Sequence, residues 1–192
     1  MCIRDRAGTP LLEKLRAYLI THQELLTGRQ AVLIPMANPD GYALNRRGNA
    51  NSVDLNRNFP ADNRTETRRH GLHALSEPES QALKAFIEQL QPHRILSIHQ
   101  PLACIDYDGP AENLAHRLSA ACGLPVRKLG AYPGSLGAYA GEELHIPIIT
   151  LELHRNDHLL SAEQLWQRYG PCLLATIAFE ETAAKTAARS QK

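Results

Sequence analysis

The sequence predicts an α/β fold, with a mixed sheet that is parallel at its centre and flanked by helices. Short apolar runs of strand length occur at residues 94–99 and 148–153, bounded by turn-forming residues. Segments with apolar residues at helical spacing lie before, between and after them. Strands alternating with helices bury their apolar faces most simply in such a sheet. The 192 residues suit one domain with one core.

The elements follow in order. Leu11, Leu12, Leu15, Leu19 and Ile20 keep helical spacing, which predicts a helix over residues 9–22. Thr27 and Gly28 lead into Ala31, Val32, Leu33, Ile34 and Pro35, a short run that reads as a buried strand. Residues 38–75 form a long polar stretch rich in Asn, Arg, Gly and Asp, of the kind that is functional or disordered in a compact domain. Ser76, as N-cap with Glu79 closing a capping box and Pro78 in the first turn, starts the next helix. Leu83, Phe86, Ile87 and Leu90 are its expected buried face. A strand over residues 94–99 ends at His99. A helix over residues 111–121 is stopped by Gly123 and Pro125. A short helix is predicted at residues 135–143 and a strand at 148–153, with Glu152 near its end. A last helix, capped by Ser161 with Gln164 in the box position, runs to about residue 184. Ligands of such sheets bind beyond the carboxyl ends of the strands, where His99, Glu152 and the polar stretch could meet.

Composition is ordinary for a globular protein, and a formal net charge of +1 implies no bulk attraction to nucleic acid or to a membrane surface. No apolar run approaches membrane-spanning length. The four cysteines form no CxxC pair, which argues against a zinc knuckle or a thioredoxin-like site and for small buried thiols in a reducing compartment. Residues 1–6 read as neither a targeting signal nor an element start, and are expected to be a foreign or misassembled leader. Residues 7–184 are expected to form a single partial domain, and residues 185–192 a polar tail.

Three sequence pieces carry chemistry. Asn38, Pro39, Asp40 and Gly41 are by themselves a turn signature. Arg46, Arg47, Gly48 and Asn49 follow. Asp54, Leu55, Asn56, Arg57, Asn58 and Phe59 then place an arginine between two amides, a combination that fits a carboxylate, although a solvated loop arginine would read the same way. In this order and spacing the three pieces resemble the zinc metallocarboxypeptidases of the carboxypeptidase A superfamily. The strand ending at His99 resembles the one that carries that family's third zinc ligand, and Thr150, Leu151, Glu152 and Leu153 resemble the strand that carries its catalytic glutamate. The segment from Ser97 to Asp106, the run Tyr132, Pro133, Gly134, Ser135, Leu136 and Gly137, and Ser76 to Glu79 are similar to the murein peptide amidase branch. That branch cleaves the γ-D-glutamyl–diaminopimelate bond of cell-wall peptides in the bacterial cytoplasm.

The resemblance implies the following roles. His99 is a ligand to one zinc ion. Glu152 is the general base. Arg47 stabilises the oxyanion, with Arg46 adjacent, so that the register between the two is open. Asn56 and Arg57 grip a substrate carboxylate. Tyr132 is the mobile phenol, or else a packing tyrosine. Asn49 shapes the loop. Cys104 and Asp106 lie just past His99, close enough to line the pocket, but are best read as a plain turn. An unusual cis bond after the third zinc ligand would fall at Gln100–Pro101, where cis costs little. The family's other two zinc ligands form a His-x-x-Glu pair. No histidine of this chain has Glu at the third position after it, and by resemblance the pair would fall ahead of residue 1. The expectation is therefore a fold lacking its amino-terminal part, with the chain as written unable to hold catalytic zinc tightly. The expected partner is a peptide with a free carboxylate, a murein tripeptide, with neither nucleic acid nor membrane. The rival readings are a general metallocarboxypeptidase, a zinc-free carboxylate-binding protein and an inactive fragment.

Overall fold

The computed structural model describes residues 5–180; the polar tail, the last residues of the predicted final helix and the first four residues lie outside them. Three strands form one sheet in the order β1 (Ile95–His99), β3 (Ile148–His154), β2 (Leu102–Asp108). β1 runs parallel to β3 and β2 antiparallel to it, so the sheet is mixed about a central β3. His99 is the register partner of Glu152 across β1 and β3, and Cys104 is the partner of the same Glu152 across β2 and β3.

The main core is built by α1 (Gly8–Thr21), α4 (Glu112–Cys122) and α5 (Ala162–Ala178). Leu11, Leu15 and Leu19 of α1 point inward at helical spacing. They join Leu114 and Leu118 of α4, Leu165, Tyr169 and Leu173 of α5, and Ile105, Ile149, Leu151 and Leu153 of the sheet. α5 packs against both α1 and α4, and α4 lies on β2. Ser161 caps α5 with the reciprocal Gln164 bond that the sequence predicts. A second, smaller core of Phe59, Ala61, Ala138 and Tyr139 holds the polar stretch against α3 (Pro78–Leu90) and a π-helical turn (Gly137–Glu143). The short α2 (Pro39–Ala43) is capped by Asn38, whose side chain accepts a hydrogen bond from the Gly41 amide. No helix among the described residues is long and apolar enough to cross a membrane.

Four local expectations are corrected. The run from Ala31 to Pro35 joins no sheet among the described residues: Ala31 and Leu33 pack on the main core while Val32 is 52% exposed, because the core covers the run on one side only. Leu102–Asp108 is a strand, where a turn was expected. The chain reverses at the cis Gln100–Pro101 bond, and the run alternates: Ala103, Ile105 and Tyr107 meet the core while Leu102, Asp106 and Asp108 line the opposite side. Ser76 makes no capping box, because Asn58 donates to its hydroxyl and Ser76 in turn donates to Glu77. Phe86 and Leu90 of α3 are substantially exposed, since the small second core reaches only Leu83 and Ile87.

Candidate active site

One cavity of about 190 Å³ opens at the carboxyl end of β1. His99, Glu152, Arg47, Asn56, Arg57 and Tyr132 all line it. They come from four separate stretches of chain, and the local fold explains how each arrives.

His99 and Glu152 stand side by side because the parallel register of β1 and β3 pairs them. The Glu152 carboxylate accepts a hydrogen bond from the Leu102 amide at 3.2 Å, which ties its orientation to the first residue of β2. The cis Gln100–Pro101 bond expected from the sequence is present in the link between them. Gln100 is buried and its amide nitrogen donates to the His154 carbonyl at 2.8 Å, fixing that link to the end of β3.

Of the two adjacent arginines, Arg47 lines the cavity. Arg46 turns back and donates to the carbonyls of Asn49 and Ala50. Arg47 Nε donates to Asp54 Oδ2 at 2.6 Å. Asp54 is 4% exposed, and its own amide bonds the Arg69 carbonyl at 2.8 Å, so the carboxylate is a fixed anchor for the Arg47 guanidinium.

Asn56 accepts a hydrogen bond at Oδ1 from the Leu136 amide at 2.9 Å. Arg57 donates to the Asn56 carbonyl and lies under the Tyr132 ring, 4.7 Å from its centroid. Gly134 makes this approach work: its φ is +64°, and a Cβ there would lie 2.5 Å from the Arg57 carbonyl oxygen. The Gly134 carbonyl in turn accepts from the Phe59 amide at 3.0 Å. The stretch carrying Tyr132 is thus fastened to the stretch carrying Asn56 and Arg57. Burial lowers the pKa of the Arg57 guanidinium, opposed by Asp54, and the neighbouring Arg47 lowers it further. Two cations this close, one of them losing solvent, make a site for an anion.

Two asparagines of the motifs do structural work. Asn58 is fully buried: its amide nitrogen donates to the carbonyls of His70 and His73 and to Ser76 Oγ, and its Oδ1 accepts from the Glu77 amide and Ser80 Oγ. Asn49 donates to Glu77 at 2.7 Å and to Glu79, and accepts at Oδ1 from the amides of Asn51 and Val53. Burial pushes the Glu77 carboxyl up, but hydrogen bonds from Asn49, Asn51 and Ser76 outweigh it and hold the pKa below the usual value.

Asp106, expected in a plain turn, lines the cavity from β2, and so does Asp108, which the sequence did not single out; they are 5% and 4% exposed. The available signal was the alternation of small or charged with apolar residues along Leu102–Asp108. Cys104, fully buried and opposite Glu152, is pushed up to about 11 by burial and by that carboxylate. A thiol held in that form is a poor nucleophile.

Comparison with known proteins bears on the family and the fold. The profile of the zinc carboxypeptidase family matches residues 8–112. Murein peptide amidase A of Escherichia coli strain K12 is 38% identical over 142 residues, covering 65% of this chain and 58% of that protein. The chain therefore spans little more than half the length of this relative. The crystal structure of the murein-tripeptide amidase of Escherichia coli O157 superposes with a TM-score of 0.63 at 33% identity, covering 78% of this chain and 68% of that one. Bovine thrombin-activatable fibrinolysis inhibitor shares the fold, with a TM-score of 0.74 at 18% identity over 92% of this chain and 78% of that one.

Proposed function

The chain belongs to the zinc carboxypeptidase family, and from that premise we propose that its cavity is the substrate site of a hydrolase that cleaves an amide bond in a murein peptide, the γ-D-glutamyl–diaminopimelate bond. The observation that carries this reading is the convergence of His99, Glu152, Arg47, Asn56, Arg57 and Tyr132 on one cavity. The resemblance to murein amidases over 142 residues supports the choice of substrate.

A catalytic zinc takes three protein ligands and keeps one position open. His99 is the ligand that this chain contributes in the proposed arrangement. Among the described residues no group of three His, Cys, Asp or Glu side chains is placed to hold a metal, so those residues do not make a zinc site by themselves.

The remaining roles rest on this chain's own groups. Arg57 and the Asn56 amide hold a substrate carboxylate, and the Tyr132 ring covers that ion pair. Arg47, held by Asp54, faces the cavity with a cation for the charge that develops on the carbonyl oxygen. Glu152 takes the proton of the attacking water and returns it to the leaving amine. Diaminopimelate carries carboxylates at both ends, so one clamp serves an amidase as well as a carboxypeptidase.

The test compares a tripeptide that contains the γ-D-glutamyl–diaminopimelate bond with an amino-blocked dipeptide, each incubated with the zinc-loaded protein. Release of diaminopimelate from the tripeptide alone supports the proposal. Cleavage of the blocked dipeptide instead would make the protein a general carboxypeptidase. Tripeptide binding that survives chelation and Glu152→Gln, without turnover, would make it a carboxylate-binding protein.

A further inference from the structure

The clamp and the proton-transfer groups leave one acid of the cavity without a task. Asp108 closes β2 and is 4% exposed, yet its Oδ1 is buried with no hydrogen-bond partner. Its neighbour Asp106 is satisfied: the amides of Tyr107 and Leu129 donate to Asp106 Oδ1 at 2.9 and 2.8 Å. Buried carboxylates are nearly always paired, and one that is not costs stability unless something else supplies its partner. Burial pushes the Asp108 carboxyl up to about 6, Asp106 and Glu142 add to this, and Lys128 opposes it.

The surroundings make room for this group. A Cβ on Gly137 would lie 2.0 Å from Asp108 Oδ2, and one on Gly141 would lie 2.7 Å from Asp108 Cβ. The π-helical turn thus presents bare backbone where any side chain would displace the carboxylate. Leu136 and Ile148 give the same cavity apolar wall. An apolar-walled cavity with cations at Arg57 and Arg47 and an unpaired acid at Asp108 is complementary to a side chain with an aliphatic stem and a cationic tip.

We propose that Asp108 is a specificity-determining residue that receives an ammonium group at the far end of the substrate's side chain, so that the site selects a diamino acid over the same acid without its distal amine. This rests on the carboxylate-clamp reading of the same cavity. The ammonium supplies the partner that Asp108 lacks in the free protein, and Gly137 and Gly141 keep the carboxylate within reach of it.

The test is calorimetric titration of the full chain with two dipeptides that differ only in that amine: γ-D-glutamyl-meso-diaminopimelate and γ-D-glutamyl-2-aminopimelate. The wild-type chain is expected to bind the first about tenfold more tightly or better, the scale of one charge-assisted hydrogen bond. Asp108→Asn is expected to abolish that preference, the two peptides then binding within about twofold of each other. Equal wild-type affinities overturn the proposal without use of any variant, and the clamp reading then survives if Arg57→Ala weakens both peptides. An Asp108→Asn chain that keeps the preference also overturns it. If the wild-type chain binds neither peptide, the clamp reading fails and the proposal falls with it.

Discussion

Arg47 and Arg57 bring two guanidinium groups to one cavity, and each is held by a different device. Arg47 has a buried carboxylate at 2.6 Å, whereas Arg57 has an aromatic face and a backbone carbonyl. Arg57 is therefore the cation whose charge is least matched by the protein, as a substrate-carboxylate site requires. Asp108 is the mirror case, an acid with no donor at Oδ1. Its pKa is raised from 3.8 to about 6 in the folded state. A raised carboxyl pKa means that the folded protein binds the proton more tightly than the unfolded chain does. The cost is therefore absent below the unfolded pKa, grows as the pH rises between the two values, and is complete above about 6. Asp108→Asn, uncharged at every pH, is expected to stabilise the free protein by about 2 kcal/mol at pH 8 and to gain almost nothing at pH 4. Urea denaturation at the two pH values checks this. A gain that is equal at both would show that Asp108 is not penalised for its charge. At this scale Arg57, Asn56, His99 and Glu152 were legible because a short motif or a strand end marks each of them. Asp108 was not, because its lack of a partner is a property of three-dimensional surroundings and leaves no trace in the local sequence.

The long polar stretch keeps its shape through element-to-element hydrogen bonding more than through apolar burial. Asn58 joins the segment that carries Asn56 and Arg57 to the start of α3, through Ser76, Glu77 and Ser80. Asn49 does the same for the segment that carries Arg47, through Glu77 and Glu79. The segment of Asn56 and Arg57 and the segment of Arg47 are therefore positioned from one helix start. Asn58→Ala would strand several buried donors and acceptors at once, with an expected cost of about 3 kcal/mol by chemical denaturation. A loss below about 1 kcal/mol would contradict its role as the hub. Element boundaries were legible where apolar spacing was regular, as in α1, β3 and the start of α5, which ends at Ala178 and so stops short of the expected 184. They were not legible where polar side chains compete for the same groups. Ser76 and Glu79 fit a capping box in sequence, but Asn58 takes the Ser76 hydroxyl and Asn49 takes the Glu79 carboxylate. β2 was hidden for a related reason: three of its seven positions, Leu102, Asp106 and Asp108, line a cavity and carry no uniform apolar signal.

For the molecule as a whole, the mixed sheet with helices against it follows from the strand and helix alternation that the sequence displays, and the order β1-β3-β2 places the parallel pair so that His99 and Glu152 share a register. What the alternation could not show is how far the sheet extends. Ala31 and Leu33 pack inward while Val32 stays exposed, the alternation of a strand with one face covered, although the run pairs with no described strand. The cavity at the strand ends draws on four distant stretches, so its integrity depends on several elements and not on any one motif. The proposed function requires that this cavity bind a peptide carboxylate through Asn56 and Arg57. The most direct measurement is a crystal structure of the chain with the murein tripeptide. The prediction is a carboxylate within hydrogen-bonding distance of both side chains, and the amide to be cleaved beside Glu152 and His99. A tripeptide bound elsewhere, or in this cavity with its carboxylates turned away from Arg57, would contradict the claim.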